Sequence, residues 1–163
     1  MRSPAVLLAA VLALSACGGT VAPPRTAPDA KRQWNANIAV VIGQLRNDVA
    51  QTQVIGPTIG AARAALQNES DLYALLVAYS DLAGCRHIVA SAGAAPPGAA
   101  GIDRPLGEAC GHLERAASLF TQAATHRDGR PLAVATREAR QALPALVRAA
   151  AALARVTGRD ARG

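Results

Sequence analysis

Residues 103–131 read DRPLGEACGHLERAASLFTQAATHRDGRP. Within this stretch Leu106, Cys110, Leu113, Ala117, Phe120 and Ala124 recur in alternating steps of four and three, so all six fall on one side of an α-helix and form a bundle seam. Asp103 reads as the N-cap of that helix, with Pro105 tolerated in its first turn. Asp128-Gly129 ends it, and Pro131 opens the next helix. A strand reading fails because polarity does not alternate every second residue.

The pattern extends in both directions. Downstream, Leu132, Ala135, Ala139, Leu143, Leu146, Ala150 and Leu153 predict a helix to about Val156, bent where Pro144 removes an amide. Upstream, residues 93–102 contain Pro96-Pro97-Gly98 and Gly101, and make the longest internal loop and the segment expected to move most. Before that loop a helix is expected from Pro57 or Thr58 to about Ala92. Its apolar stripe turns by more than 90° between Ile59, Ala62, Leu66 and Leu72, Leu75, Leu76, Tyr79, which predicts a kink or short break near Asn68–Asp71. A first helix over 30–54 follows from Trp34, Ile38, Val41, Leu45 and Val49, stopped by Gly56-Pro57. No hairpin dipeptide joins alternating strands anywhere. The expected fold is therefore all-α, a four-helix up-down-up-down bundle with a kinked second helix.

Composition agrees with helices and limits the chemistry. Trp34, Tyr73, Tyr79 and Phe120 are the only aromatics, so the core must be built from Leu, Val, Ile and many Ala, and small side chains favour closely approaching helices. Seventeen basic residues against eleven acidic ones leave a net charge of +6, and Lys31 is the only lysine.

The chain opens with Met1-Arg2-Ser3-Pro4 and an apolar run from Ala5 to Leu14, the charged start and short core of a secretory signal. About 20 apolar residues are needed to span a bilayer, and this run has half of that. It ends in Leu14-Ser15-Ala16-Cys17, which resembles the lipobox of bacterial lipoproteins. The resemblance implies cleavage before Cys17, fatty chains on its thiol and amine, and a tether to the outer face of a bacterial membrane. With Gly18 rather than Asp after the cysteine, it implies the outer membrane if the host has two. More than one chain makes a stable anchor where one would not. The expected organisation is a lipoprotein signal peptide at 1–16, the lipidated cysteine and a Pro- and Gly-containing tether at 17–29, a helical domain at 30–157 and a disordered tail at 158–163.

In an oxidising compartment the remaining pair, Cys85 and Cys110, is expected to form a disulfide. Each lies seven or eight residues from the connecting loop, at matching heights on antiparallel neighbours. The bond closes a loop of about 25 residues, worth roughly 3 kcal/mol in the chain-entropy model. Cys85-Arg86-His87 and Cys110-Gly111-His112 also offer four ligands of the kinds zinc prefers. Residues two apart on a helix diverge by about 200°, however, so no metal site and no cofactor is expected. Glu108 with His112 reads as a solvated i, i+4 pair, and His126 carries no site of its own.

Enzyme signatures are missing. The sequence has no nucleophile elbow, no HExxH, no phosphate-cradling glycine loop, no haem attachment motif and no E-x-x-H of di-iron bundles, and only four glutamates, at 69, 108, 114 and 138. On a single helix, Arg130, Arg137, Arg148 and Arg155 would fall within about 20° of one another, with Arg159 extending the line. That stripe is either a solvated face or a contact for anionic lipid headgroups. Nucleic acid is not expected, because aromatic interleaving for stacking is absent.

The function expected is a non-enzymatic binding or envelope-assembly accessory with an envelope protein as partner. In size, anchor and disulfide it resembles the helical pilotin lipoproteins that escort outer-membrane secretion components, a likeness at fold level alone. A carrier of a small apolar ligand is the alternative. An enclosed cavity of several hundred Å³ would favour the carrier, and an exposed apolar groove the accessory.

Overall fold

A computed structural model describes residues 27–55 and 58–160, the last two by backbone alone. The expected signal sequence, Cys17, most of the expected tether, Gly56-Pro57 and residues 161–163 lie outside them. The described residues are all-helical, without a strand. They form α1 (Ala27–Thr52), a short 3-10 turn (Gln53–Ile55), α2 (Ile59–Gln67), α3 (Glu69–Ala83), α4 (Cys85–Ser91), α5 (Ala100–His126), α6 (Gly129–Gln141) and α7 (Leu143–Asp160).

Seven helices stand where four rods were expected, and each extra break has a local cause. Asn68 serves two helices at once. Its amide donates to the carbonyls of Ala64 and Ala65 at the end of α2, while its side-chain oxygen accepts from Asp71 N at 3.1 Å as the N-cap of α3. The turn in the apolar stripe is thus the short break, not the kink, of the two alternatives expected there. Gly84 makes a second break, between α3 and α4. Pro144, the second residue of α7, cannot supply the amide that a continuous helix needs, and the chain resets at Ala142 between α6 and α7.

Helix ends also move. α1 begins at Ala27, inside the expected tether, because Pro28 suits a first helical turn and Asp29 complements the N-terminal dipole there. α5 begins at Ala100, so Asp103 lies in the first turn instead of capping it, and Pro105 falls past that turn. Residues 158–160, expected as tail, continue α7. The connection between α4 and α5 uses Gly93 (φ +100°) and Gly98 (φ +86°) in left-handed backbone. It is tied to α1, where Trp34 Nε1 donates to the Gly93 carbonyl at 3.2 Å and Asn37 Nδ2 to the Ala92 carbonyl at 3.3 Å.

Gly129 does not stop α5. That helix ends at His126 with Arg127 in the left-handed region (φ 51°), and Arg127 Nη1 donates to the Leu66 carbonyl at the end of α2. Asp128 then caps α6, and Gly129 is its first residue, pressed against α2. A Cβ there would sit 2.7 Å from the Ile59 carbonyl oxygen and 2.8 Å from Arg63 N.

α5 is the central element, packed on α3, α6 and α7, while α1 packs on α3 and α7. The expected seam residues Leu106, Cys110, Leu113, Ala117 and Phe120 are all buried. Tyr79 of α3 stacks on Phe120 with ring centroids 4.6 Å apart, and its hydroxyl lies 3.4 Å from Thr136 Oγ1 of α6. Burial pushes the Tyr79 phenol up to about 12 against the opposing effect of hydrogen bonds to Thr136 and Thr52, so it stays a neutral hydroxyl at physiological pH.

Candidate binding groove

On α1 the residues Arg32, Asn35, Ala39, Ile42, Gly43 and Arg46 recur at three- and four-residue steps on the side turned from α3 towards α7. Ala150, Leu153, Ala154 and Thr157 face them from α7. Because most of these side chains are small, the two helices leave between them an open groove of about 730 Å³ rather than a filled seam. Its lining is mostly apolar and contains no carboxylate.

Besides Thr157, whose hydroxyl donates to the Leu153 carbonyl, three polar groups mark this groove. Asn35 is only 5% exposed, and its side-chain carbonyl oxygen has no hydrogen-bond partner. That oxygen is closed to solvent as well as unpaired, a cost carried within the fold itself. Arg32 stands at one end, exposed and paired with Asp29 one turn away, and such a pair holds an arginine only weakly. Arg46 stands exposed at the other end. Fourteen residues separate them, about 21 Å along the helix axis.

Cys85 and Cys110 form the expected disulfide, with Cα atoms 5.3 Å apart, joining the start of α4 to α5. Both sulfurs of the alternative zinc set are thereby consumed. His87 is exposed, and His112 Nδ1 lies 3.0 Å from Glu138 Oε2 of α6. Glu108 pairs with Arg148 instead of His112. The Arg148 Nη2 contact at 2.7 Å holds the Glu108 carboxyl below its ordinary range. No group of three or more His, Cys, Asp or Glu that could hold a metal ion occurs among the described residues.

The arginine stripe is divided by the break before α7. Arg130 and Arg137 are exposed on α6, and Arg148 and Arg155 on α7, so the single-helix wheel does not apply. Arg148 and Arg155 instead meet Arg104 of α5 around a shallow depression that also includes Glu108. Arg104 escaped the sequence reading because its partners come from another helix.

Asp48 was also missed. It lies on the buried side of α1 in step with Val41, Leu45 and Thr52, a position the four-three spacing does mark. Burial, with the charge of Asp81 adding to it, pushes its carboxyl up to about 6, and Oδ2 has no partner. A second apolar surface lies on α3, where Tyr73, Leu76 and Val77 are 71%, 52% and 42% exposed. The expected inward stripe thus holds for Leu75 and Tyr79 but not for Leu76.

No helix among the described residues is long and apolar enough to cross a membrane. No protein-family model matches this chain, and no curated protein or solved structure is detectably similar to it.

Proposed function

We propose that this protein is a non-enzymatic accessory of the bacterial cell envelope, held to the membrane by lipid on Cys17 and receiving a partner protein in the groove between α1 and α7. The openness of that groove carries the reading. An apolar small molecule lying in it would keep one side in water, whereas a protein segment brings its own polar back. The volume falls within the range of ligand sites, which is what the carrier alternative rests on, but carriers enclose most of the ligand surface.

The same reading keeps four rods in up-down-up-down order, with α2–α4 as the second and α6–α7 as the fourth. The packing of α1 on α3 and α7, and of α5 on α3, α6 and α7, supports it. It also moves the contact with anionic headgroups to one end of the molecule. Lys31 near the start of α1, Ile102 near the start of α5 and Val156 near the end of α7 converge on one depression, and Arg104, Arg148 and Arg155 surround the one beside it. This is the end at which the tether would reach α1. Arg130 stands beyond the other end of α5, about 40 Å away, outside the reach of a surface whose attraction fades within a Debye length.

Two measurements test the proposal. Cys17→Ser should move the protein from the membrane to the soluble fraction, and a variant that stays in the membrane at unchanged size would refute the anchor. A photocrosslinking side chain at Ala39, exposed in the groove, should capture a protein in intact cells. A small apolar molecule retained there through purification, with no protein captured, would favour the carrier.

A further inference from the structure

The chemistry of the groove specifies its occupant further. Resting on the accessory reading above, we infer that the segment received between α1 and α7 is an acidic amphipathic helix of about four turns, with its carboxylates near both ends. Two observations support this. The floor of Ala36, Ala39 and Gly43 on α1 with Ala150 and Ala154 on α7 lets a third backbone approach closely, as small residues do at helix interfaces. Arg32 and Arg46 flank that floor about 21 Å apart with no carboxylate in the lining, and 14 residues is close to four helical turns.

The same charges disfavour a second copy of this chain. Paired antiparallel through the groove, Arg32 of one copy would meet Arg46 of the other, and paired parallel each arginine would meet its own counterpart. Either arrangement sets like charges against each other at both ends.

Gly43 makes the inference testable without disturbing the fold, because a Cβ added there meets nothing within 4 Å. The probe is a fluorescein-labelled 18-residue synthetic helix with a Leu and Ala stripe and Glu near both ends. A twin carries Lys in place of Glu. Binding to the full chain bearing Cys17→Ser is read by fluorescence anisotropy at low salt. The Glu peptide should bind at least tenfold tighter than the Lys twin. Gly43→Leu and Ala39→Trp should each weaken it tenfold or more with unchanged circular dichroism and no loss of thermal stability. Arg46→Glu should reverse the preference towards the Lys twin.

Equal binding of both peptides, or binding unaffected by both groove-filling variants, overturns the inference. So does dimerisation of the unliganded chain that Gly43→Leu abolishes, since the groove would then belong to a second copy. Failure here together with protein capture at Ala39 leaves the accessory reading standing with a different partner chemistry. Loss of protein capture at Ala39 removes both.

Discussion

Two seams of this molecule are made of the same small residues and end differently. Where α5 meets α6 and α7, Ala109, Ala116, Ala123, Ala135, Ala139 and Ala142 are completely buried. Between α1 and α7, Ala36, Ala39, Gly43 and Ala154 are exposed. Alanine allows close approach in both places but supplies little surface to fill a gap. α5 closes its seams because helices surround it and Leu106, Leu113, Leu132 and Leu146 fill the space between the alanines. α1 turns Trp34, Ile38 and Leu45 towards the core, and beside Ile42 it leaves the small residues Ala36, Ala39 and Gly43 towards the outer edge of α7. A small-residue face therefore becomes a core or a groove according to what lies across from it.

This contrast predicts opposite responses to added volume. Gly129→Ala, at the closed junction of α6 with α2, drives a methyl group into backbone at 2.7 and 2.8 Å. It should destabilise the fold by about 3 kcal/mol, since neither backbone atom can move aside as a side-chain tip would. Urea denaturation would show it, and a midpoint equal to wild type would mean that α2 and α6 are not so tightly joined. Next comes the covalent link between α4 and α5. Cys85→Ser with Cys110→Ser reopens a loop of 25 residues and should cost about 3 kcal/mol. Thiol titration of the denatured, unreduced wild type should find neither Cys85 nor Cys110 free.

Asp48 lies on the α1 side of the comparison and tests its core. Its carboxyl is held at about 6, above the ordinary 3.8, so the folded state binds this proton more tightly than the unfolded chain does. The resulting stabilisation is complete below about pH 4 and is lost as pH rises to 6 and above. Asp48→Asn should abolish that decline and gain at most about 3 kcal/mol at pH 7, with no gain at pH 3.5. A wild-type minus variant difference that does not change between those pH values would show that Asp48 is well solvated. The smallest effect belongs to the open groove. Gly43→Ala should raise stability by about 0.5–1 kcal/mol, the helix propensity of alanine acting alone where nothing obstructs its methyl.

Much of the fold was legible residue by residue. The seam of α5 could be read because six residues at four-three spacing on an uninterrupted helix leave one choice of buried face. The cysteine pair could be read because two residues close to one loop stand at similar heights. The double cap at Asn68 was visible only as a turn in the apolar stripe, since a side chain that caps one helix and a backbone that closes another look like any polar residue in a string. Gly129 looked like a stop because glycine after a helix usually is one. Here its missing side chain makes room for Ile59 and Arg63, seventy and sixty-six positions earlier. The groove was illegible for the same reason as Arg104: each needs two helices brought together by the packing, and neither helix carries a mark of the other.

Taken alone, the order of residues determined that this chain is helical, which side of each long helix is buried, and which cysteines meet. Those properties depend on periodicity and on neighbours a few positions apart. Only the tertiary structure decided where rods break into shorter helices, which arginines gather, and that α1 and α7, though packed together, leave an open groove along their outer edge. Those outcomes depend on the distance between backbones far apart in the chain, a quantity set by the whole core at once.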